Sequence, residues 1–137
     1  MVKQYQCRSC GVAIPTSSVS HLCSPCLQEH YYVQRKCAPA KRLGLPADLT
    51  PSQWKNTLSH FNGLCAYCQK TKWDVFEHFI PTALGGGATV YNCVPACLSC
   101  NRRKYNFHPA LVTSIPSEDI ERVRVFLQQR LSEAFGS

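Results

Sequence analysis

The segment from Cys65 to Lys104 contains the side chains of this chain that are best suited to chemistry. It holds two Cys-x-x-Cys pairs, Cys65/Cys68 and Cys97/Cys100. Between and just after these pairs lie one carboxylate, one imidazole and two amides, which belong to Glu77, His78, Asn92 and Asn101. Four thiolates suit one tetrahedral zinc ion, and the other four groups suit the metal-dependent hydrolysis of a phosphodiester. The segment therefore predicts a small zinc-stapled scaffold that presents a hydrolytic site.

Each of the four polar side chains suits a particular role in that reaction. Hydrolysis needs a base for the attacking water, a cation for the growing negative charge, and fixed positions for both. His78 suits the base because the pKa of imidazole lies near neutral pH. Glu77 and Asn101 offer oxygens that could share a magnesium ion with water and phosphate oxygens. Successive strand residues face opposite sides, so we expect Glu77 and His78 to flank the scissile phosphate, and we expect Asn92 to brace the loop and keep His78 in register.

The pattern resembles the HNH endonucleases, a superfamily with a ββα-metal fold. His78, Asn92 and Asn101 stand 92 − 78 = 14 and 101 − 92 = 9 residues apart, which are the usual intervals of the family. Four surrounding segments resemble its zinc-bearing branch, namely His78-Phe-Ile-Pro81, Leu84-Gly-Gly86, Asn92-Cys-Val-Pro95 and Cys97-x-x-Cys100-Asn101-x-x-Lys104. The resemblance implies one catalytic Mg²⁺ or Mn²⁺ held by Glu77 and Asn101, with His78 as general base. It also implies products with 5′-phosphate and 3′-hydroxyl ends.

The chain departs from the usual family motif in two places. The first acid is usually Asp, and the extra methylene of Glu77 moves the carboxylate by about one ångström, which can shift metal preference or rate. The third motif residue is Asn101 rather than His, a common variant that suits a metal ligand. The resemblance covers only residues 65–107. A four-cysteine unit ahead of such a core is similar, in architecture alone, to small homodimeric restriction enzymes of the HNH type.

Cysteine spacing favours metal over disulfides throughout the chain. The sequence has 137 residues and ten cysteines, and eight of these fall in Cys-x-x-Cys pairs. The two N-terminal pairs predict a second structural zinc in a ribbon or knuckle, with two turns without metal as the alternative, and they are Cys7/Cys10 and Cys23/Cys26. No apolar signal segment or membrane span is evident, so the sequence predicts an intracellular protein of bacterial or phage type. Cys37 and Cys93 fall outside the pairs, and Cys93 is expected to be a small buried hydrophobe.

An excess of basic residues indicates a nucleic-acid partner. The formal net charge is +7, from 15 Lys and Arg against 8 Asp and Glu. Each zinc held by four thiolates contributes about −2, so two such units lower the charge to about +3 and weaken the indication. Arg102, Arg103 and Lys104 follow the last zinc ligand and are candidates for contacts with DNA phosphates. The alternative is a solvated helix face.

The N-terminal half is predicted to contain a zinc module and two helices. Residues 1–26 suit a short hairpin with a turn at residues 16–18, followed by a helix from about Pro25 to near Cys37 and a basic linker over residues 39–46. Thr50 and Gln53 predict a capping box at the start of a second helix, which Asn62-Gly63 ends. One apolar face of this helix consists of Trp54, Leu58 and Phe61. We expect that face to pack under the second zinc site.

The C-terminal half is predicted to hold two strands and two helices. Residues 73–81 suit a strand ending near His78, residues 85–87 a flexible glycine loop, and Tyr91–Ala96 a second strand. A helix is expected from Cys97, carrying Asn101 and the basic residues. Ser117 is expected to cap a C-terminal helix whose apolar face is formed by Ile120, Val123, Leu127 and Leu131.

Together these patterns predict an α+β fold with three parts. Residues 1–45 are assigned to the N-terminal four-cysteine zinc module and its linker. Residues 46–110 are assigned to a ββα-metal core with the second four-cysteine zinc site, and residues 111–137 to an amphipathic helix.

The leading functional hypothesis is a metal-dependent endonuclease that hydrolyses duplex DNA, and within that class a type II restriction enzyme. One chain offers one active site and a double-strand cut needs two, so a homodimer is expected. The alternatives are a nicking or homing-type HNH endonuclease, a nuclease that acts on RNA, and a zinc-ribbon DNA-binding protein without catalytic activity.

Overall fold

The computed structural model describes residues 5–15 and 20–136, and in this part of the chain it has an α+β fold. Two antiparallel two-stranded sheets and four α-helices follow one another as β1 (Tyr5–Gln6), β2 (Ala13–Ile14), α1 (Ser24–Arg42), α2 (Pro51–His60), β3 (Val75–His78), β4 (Cys93–Ala96), α3 (Leu98–Lys104) and α4 (Ser117–Phe135). Short 3-10 helices lie at Thr82–Leu84 and Pro109–Leu111. The predicted fold class is confirmed. None of the described helices is both long enough and apolar enough to cross a membrane.

The N-terminal module is a hairpin that encloses a cysteine knuckle. Strands β1 and β2 pair with Tyr5 opposite Ile14, and the chain between them turns through Cys7 and Cys10. The amide of Cys7 donates to the Val12 carbonyl at 2.7 Å, which closes the turn. The hairpin therefore turns at the knuckle, and the turn predicted at residues 16–18 lies outside the described residues.

The four cysteines of this module have the geometry of a zinc site. Their sulfurs all lie within 4.8 Å of one another, and the Sγ atoms of Cys10 and Cys23 are 3.7 Å apart. A tetrahedral zinc with Zn–S bonds of about 2.3 Å separates its sulfurs by about 3.8 Å. The cluster therefore fits a structural zinc. Helix α1 starts directly after Cys23 and carries Cys26 in its first turn, so the metal would fix the start of that helix.

Helix α1 is longer than the sequence suggests. It continues through Pro39 to Arg42, so the linker predicted to begin at residue 39 is wrong for residues 39–42. A proline inside a helix removes a hydrogen bond and costs about 3 kcal/mol. The helix persists because Val33, Cys37 and Ala40 form one buried face of it.

Helix α2 begins and ends as predicted. The Thr50 hydroxyl accepts from the Gln53 amide at 3.1 Å, and the Thr50 amide donates to the Gln53 side chain at 3.0 Å, which completes the capping box. Asn62 and Gly63 follow the helix with φ of 55° and 72°. The buried face of α2 serves two apolar clusters. Trp54 packs on Phe76 of β3 with ring centroids 4.7 Å apart, whereas Phe61, just past the helix, lies with the cysteines of the second zinc site.

Strands β3 and β4 with helix α3 form the predicted ββα unit. The strands are antiparallel, with Glu77 opposite Val94 and His78 opposite Cys93. Cys97 directly follows β4 and caps α3, since its sulfur accepts from the Cys100 amide at 3.4 Å. The sulfurs of the second cluster lie within 4.8 Å of one another and belong to Cys65, Cys68, Cys97 and Cys100. This cluster also fits a structural zinc, which would clamp the turn at residues 65–68 to the start of α3.

Two residues of the glycine segment between the strands, Gly86 and Gly87, are closely packed. A Cβ atom at Gly86 would lie 1.7 Å from the carbonyl oxygen of Ile80, and one at Gly87 would lie 2.5 Å from that of Pro46. Only a residue without a side chain fits such a close approach of two backbones. The flexibility expected for residues 85–87 stays a prediction, and the close packing applies to Gly86 and Gly87.

Helix α4 covers the second zinc site. Three residues of its predicted apolar face are buried and the fourth, Leu131, is 45% exposed; the buried three are Ile120, Val123 and Leu127. The N-cap is Pro116 and no described side chain caps the helix, so the cap predicted at Ser117 is wrong. Arg122 donates to the carbonyl of Tyr67, which ties α4 to the turn of the second zinc site.

The three-part division of the chain stays a prediction. Helix α1, which the sequence assigns to the N-terminal module, shares an apolar cluster with α2 and both strands of the ββα unit. Cys37 of α1 and Cys93 of β4 both lie in this cluster, and both are buried. Outside the two metal clusters, these thiols act as small apolar side chains.

The two cysteine clusters predict two zinc ions per chain. We expect Cys97→Ser to lose one zinc and unfold the ββα unit, because the binding free energy of a structural zinc is part of the folding free energy. Zinc stoichiometry by native mass spectrometry and thermal melting by circular dichroism measure both effects. Cys93→Ser is the matched control, since this cysteine is buried four residues before Cys97 but lies outside the clusters. Two bound zinc ions and an unchanged Tm in Cys97→Ser would refute the assignment.

Candidate active site

A concavity of about 320 Å³ lies between the end of β3 and the C-terminal half of α3. We call it the His78 cleft. Its lining includes three of the side chains singled out from the sequence, Glu77, His78 and Asn101. Three further aromatic or amide groups also line it, namely Phe76, Tyr105 and Asn106. The fold thus brings three of the four predicted reactive residues to one cleft.

His78 lies at the end of β3 in an environment that keeps its ring neutral. The pKa of the imidazole is lowered, mainly because burial disfavours the charged ring and further because the ammonium groups of Lys104 and Lys36 repel a proton. Its Nε2 atom is buried and has no hydrogen-bond partner among the described residues. The ring packs edge-on against Phe76 with centroids 5.3 Å apart. A neutral imidazole with an unsatisfied nitrogen can bind a water molecule and accept a proton.

Glu77 points to the opposite side of the strand from His78, as strand alternation predicts. Its Oε1 lies 3.0 Å from Nζ of Lys104, and its Oε2 accepts a hydrogen bond from the hydroxyl of Tyr67. Glu77 is 5% exposed and both partners are fully buried. Burial raises the pKa of the Glu77 carboxyl, while the charge of Lys104 and the two hydrogen bonds oppose that rise. The charge of this carboxylate therefore depends on the two partners.

Lys104 is an internal residue, so its predicted contact with a DNA phosphate is wrong. The side chain has no exposed surface, and its ammonium group donates to Glu77 and to the backbone carbonyl of His78, each at 3.0 Å. The sequence held a signal for this placement. Lys104 follows Cys100 by four residues on α3, so the two side chains share a helix face. Since the zinc ligand must face the interior, Lys104 faces it too.

Tyr67 is the site residue that the sequence reasoning missed. It lies inside the Cys65-Ala66-Tyr67-Cys68 turn, and the zinc cluster fixes that turn. Burial raises the pKa of its phenol well above the usual value, so the hydroxyl stays protonated. It donates a hydrogen bond to the carboxylate of Glu77. The sequence did contain a signal for this contact. A tyrosine between two zinc ligands must be largely buried, and a buried hydroxyl needs a hydrogen-bond partner.

The oxygens of Glu77 and Asn101 fit a hard divalent cation in type. A carboxylate and an amide carbonyl are ligands that Mg²⁺ and Mn²⁺ accept, and both residues line the His78 cleft. A carboxylate offers about four lone pairs, and Tyr67 and Lys104 occupy two of those on Glu77. The donor set thus has spare capacity for a metal.

Asn92 fastens the loop that follows His78. Its side-chain oxygen accepts from the Ile80 amide at 2.8 Å, and its side-chain nitrogen donates to the carbonyls of Ile80 and Gly87 at 3.0 and 2.8 Å. In addition, the backbone carbonyl of Asn92 accepts from the Phe79 amide at 2.8 Å. These bonds join Phe79, Ile80 and Gly87, which all lie between the two strands, to the residue just before β4. The effect of this brace on His78 stays a prediction.

The surface beside the cleft carries uncompensated positive charge. Arg102 and Arg103 are exposed, and neither forms an ion pair with a described residue. The sequence contains no Asp or Glu between Glu77 and Glu118. The segment that builds the loop, β4 and α3 therefore presents no carboxylate that would repel a polyanion.

A larger cavity of about 540 Å³ lies between α1 and α2 but contains none of the candidate reactive residues. Aromatic and aliphatic side chains dominate its lining, among them Tyr32, Trp54, Leu58 and Trp73. The Glu29–Lys55 ion pair at 2.8 Å lies on its rim. Chemistry therefore favours the smaller His78 cleft as the active site.

Comparison with known proteins gives one family match, which covers part of the chain. Residues 65–114 match the family described as HNH endonuclease. The match spans the second zinc site, both strands of the ββα unit and α3, so the recognition of an HNH core with a four-cysteine zinc site is confirmed. No curated protein and no solved structure matches the chain.

The Glu77–Lys104 pair predicts a large loss of stability when only one partner is removed. Lys104→Met should lower the free energy of unfolding by about 3–5 kcal/mol, because it leaves a buried carboxylate without its counter-charge. Urea unfolding of the zinc-loaded protein measures the change. Arg103→Met, one residue earlier and exposed, should change it by less than about 0.5 kcal/mol. The double variant Glu77→Gln/Lys104→Met should recover part of the loss, and a loss in Lys104→Met no larger than in Arg103→Met would contradict the pairing.

Proposed function

We propose that the HNH core of this chain makes it a metal-dependent endonuclease that hydrolyses duplex DNA. The observation that carries the proposal is the neutral imidazole of His78, whose Nε2 has no partner among the described residues, in a cleft that Glu77 and Asn101 also line. A base held neutral and a pair of hard oxygen ligands are what phosphodiester hydrolysis requires of a protein.

In the proposed reaction His78 is the general base. The neutral ring accepts a proton from a water molecule as that water attacks the phosphorus. The bond between the phosphorus and the 3′-oxygen breaks, which leaves a 5′-phosphate on one fragment, and the departing 3′-oxygen takes a proton from solvent to become a 3′-hydroxyl. A divalent ion bound by Glu77 and Asn101 would supply positive charge for the phosphate and for the departing oxygen.

The other buried groups of the site act as positioning residues. Lys104 and Tyr67 fix the Glu77 carboxylate from two sides, and Lys104 also holds the backbone of His78. Asn92 fixes the loop that follows the base.

Duplex DNA suits the charge around the cleft. Arg102 and Arg103 can contact phosphates that flank the cut, and the acid-free segment allows the backbone to approach.

Within this class we propose a type II restriction enzyme that acts as a homodimer. One chain has a single His78 cleft, and two copies related by a twofold axis would place one cleft at each strand of a palindromic site. Sequencing the ends produced from a mixed-sequence DNA would reveal the recognition site and the stagger of the cut, and sedimentation would give the oligomeric state.

Loss of the base predicts loss of cleavage without loss of binding. We expect His78→Ala to reduce the rate of supercoiled plasmid cleavage in Mg²⁺ or Mn²⁺ by about 10²- to 10⁴-fold, the usual contribution of a general base. Chelation of the divalent ion should abolish cleavage by the unmodified protein. His60→Gln is the matched control, because this exposed ring stacks on Phe126 of α4 and does not line the cleft; it should cleave at the normal rate.

The products distinguish the proposal from its rivals. Linear plasmid with 5′-phosphate ends at one repeated sequence supports a restriction enzyme, whereas nicked circles alone identify a nicking enzyme. Duplex binding without cleavage in either metal identifies a DNA-binding protein without catalytic activity. Cleavage of RNA but not of duplex DNA contradicts the proposed substrate.

A further inference from the structure

Two exposed aromatic side chains stand at the rim of the His78 cleft. Tyr105 and Phe107 follow α3 directly and are 65% and 53% exposed. Their rings meet edge to face with centroids 5.9 Å apart, and Tyr105 lines the cleft. We call this pair the aromatic ridge. What distinguishes these two rings from the other exposed apolar side chains is that they touch each other and that one of them lines the cleft.

The backbone under the ridge is strained. Tyr105 has φ of 51° and ψ of −144°, a conformation that is close to a region occupied almost only by glycine. Its amide still donates to the Asn101 carbonyl at 2.9 Å, so the turn is held in place by α3. A glycine at this position would relieve the strain. The tyrosine therefore costs stability where it stands, and strain of this kind clusters at functional sites.

The charge around the ridge favours a polyanion over a second protein copy. Arg102 and Arg103 lie directly before it, and neither forms an ion pair with a described residue. No Asp or Glu occurs in the sequence from His78 to Ser117. Self-association through the ridge would bring the arginines of two copies together without a counter-charge, whereas duplex DNA supplies phosphates on both sides of its stacked bases.

We propose that the aromatic ridge of Tyr105 and Phe107 packs against the bases of duplex DNA beside the scissile bond and unstacks a base step there. This inference rests on the proposed nuclease function. Apolar side chains inserted between base steps kink a duplex, and a kink at the rim of the cleft would turn the adjacent phosphodiester towards His78. Arg102 and Arg103 bind the flanking phosphates through charge, which salt screens. The ridge contacts the bases through apolar surface, which salt does not screen.

The test measures DNA affinity against salt concentration in the catalytically silent His78→Ala background. Tyr105→Gly should weaken binding to a duplex that contains the mapped cleavage site by about 5- to 150-fold, the range for loss of one base–aromatic contact. The slope of log K against log salt should not change. Arg102→Gln is the contrasting variant, since loss of one phosphate contact should reduce that slope by about 0.9. Tyr105→Phe keeps the ring and should bind normally.

Two further measurements separate this role from a structural one. Tyr105→Gly should unfold at the same or a higher urea concentration than the unmodified chain, because the glycine relieves strain. The fluorescence of 2-aminopurine placed beside the scissile bond should rise when the His78→Ala protein binds the duplex, because the base is unstacked. With the double variant His78→Ala/Tyr105→Gly the fluorescence should stay low.

The outcomes distinguish failure of this inference from failure of the proposed function. If Tyr105→Gly binds as tightly as its parent and 2-aminopurine brightens equally, the ridge does not contact bases, although the nuclease stands. If Tyr105→Gly instead converts a dimer into a monomer, the ridge is a surface for a second copy and the inference is overturned. If the His78→Ala protein binds no duplex at all, the proposed DNA substrate itself fails.

Discussion

The second four-cysteine cluster joins two pieces of chain whose buried side chains meet on one carboxylate. The turn at residues 65–68 carries Tyr67 between its zinc ligands, and α3 carries Lys104 four residues after Cys100. Both side chains end on Glu77. A buried carboxylate is costly unless it is paired and hydrogen-bonded. The geometry of the metal cluster therefore fixes the polar contacts on which the site depends.

The same arrangement sets the state of His78 on the other face of the strand. The Lys104 ammonium holds the His78 carbonyl, while Phe76 and Trp54 form an apolar layer on the side of the ring. Burial and nearby positive charge both favour the neutral imidazole. Lys104 thus pairs with the Glu77 carboxylate on one face of β3, while burial, aided by the same ammonium group, favours the uncharged His78 ring on the opposite face.

The short segment after β4 divides into residues that face the interior and residues that face solvent. Cys97, Cys100 and Lys104 face the interior and hold the fold, while Arg102, Arg103 and the aromatic ridge face outwards. The interior residues recur every three or four positions, so the outward ones fall between them on the other side of α3. A helix of seven residues therefore carries both the structural ligands and the charged surface.

Local patterns in the sequence determined the zinc ligands, the capping box of Thr50 and Gln53, the order strand–strand–helix and the spacing of His78, Asn92 and Asn101, because each depends on residues close together in the chain or on fixed ligand chemistry. Tertiary packing decided the rest. Lys104 and Tyr67 lie 27 and 10 residues from Glu77 in the chain, so no local signal pairs them. Pro39 stays helical because one face of α1 is buried, and Gly86 is required because the Ile80 backbone approaches it. Burial changes the free energy of a charge or a backbone group by several kcal/mol, and only the folded chain determines which groups are buried.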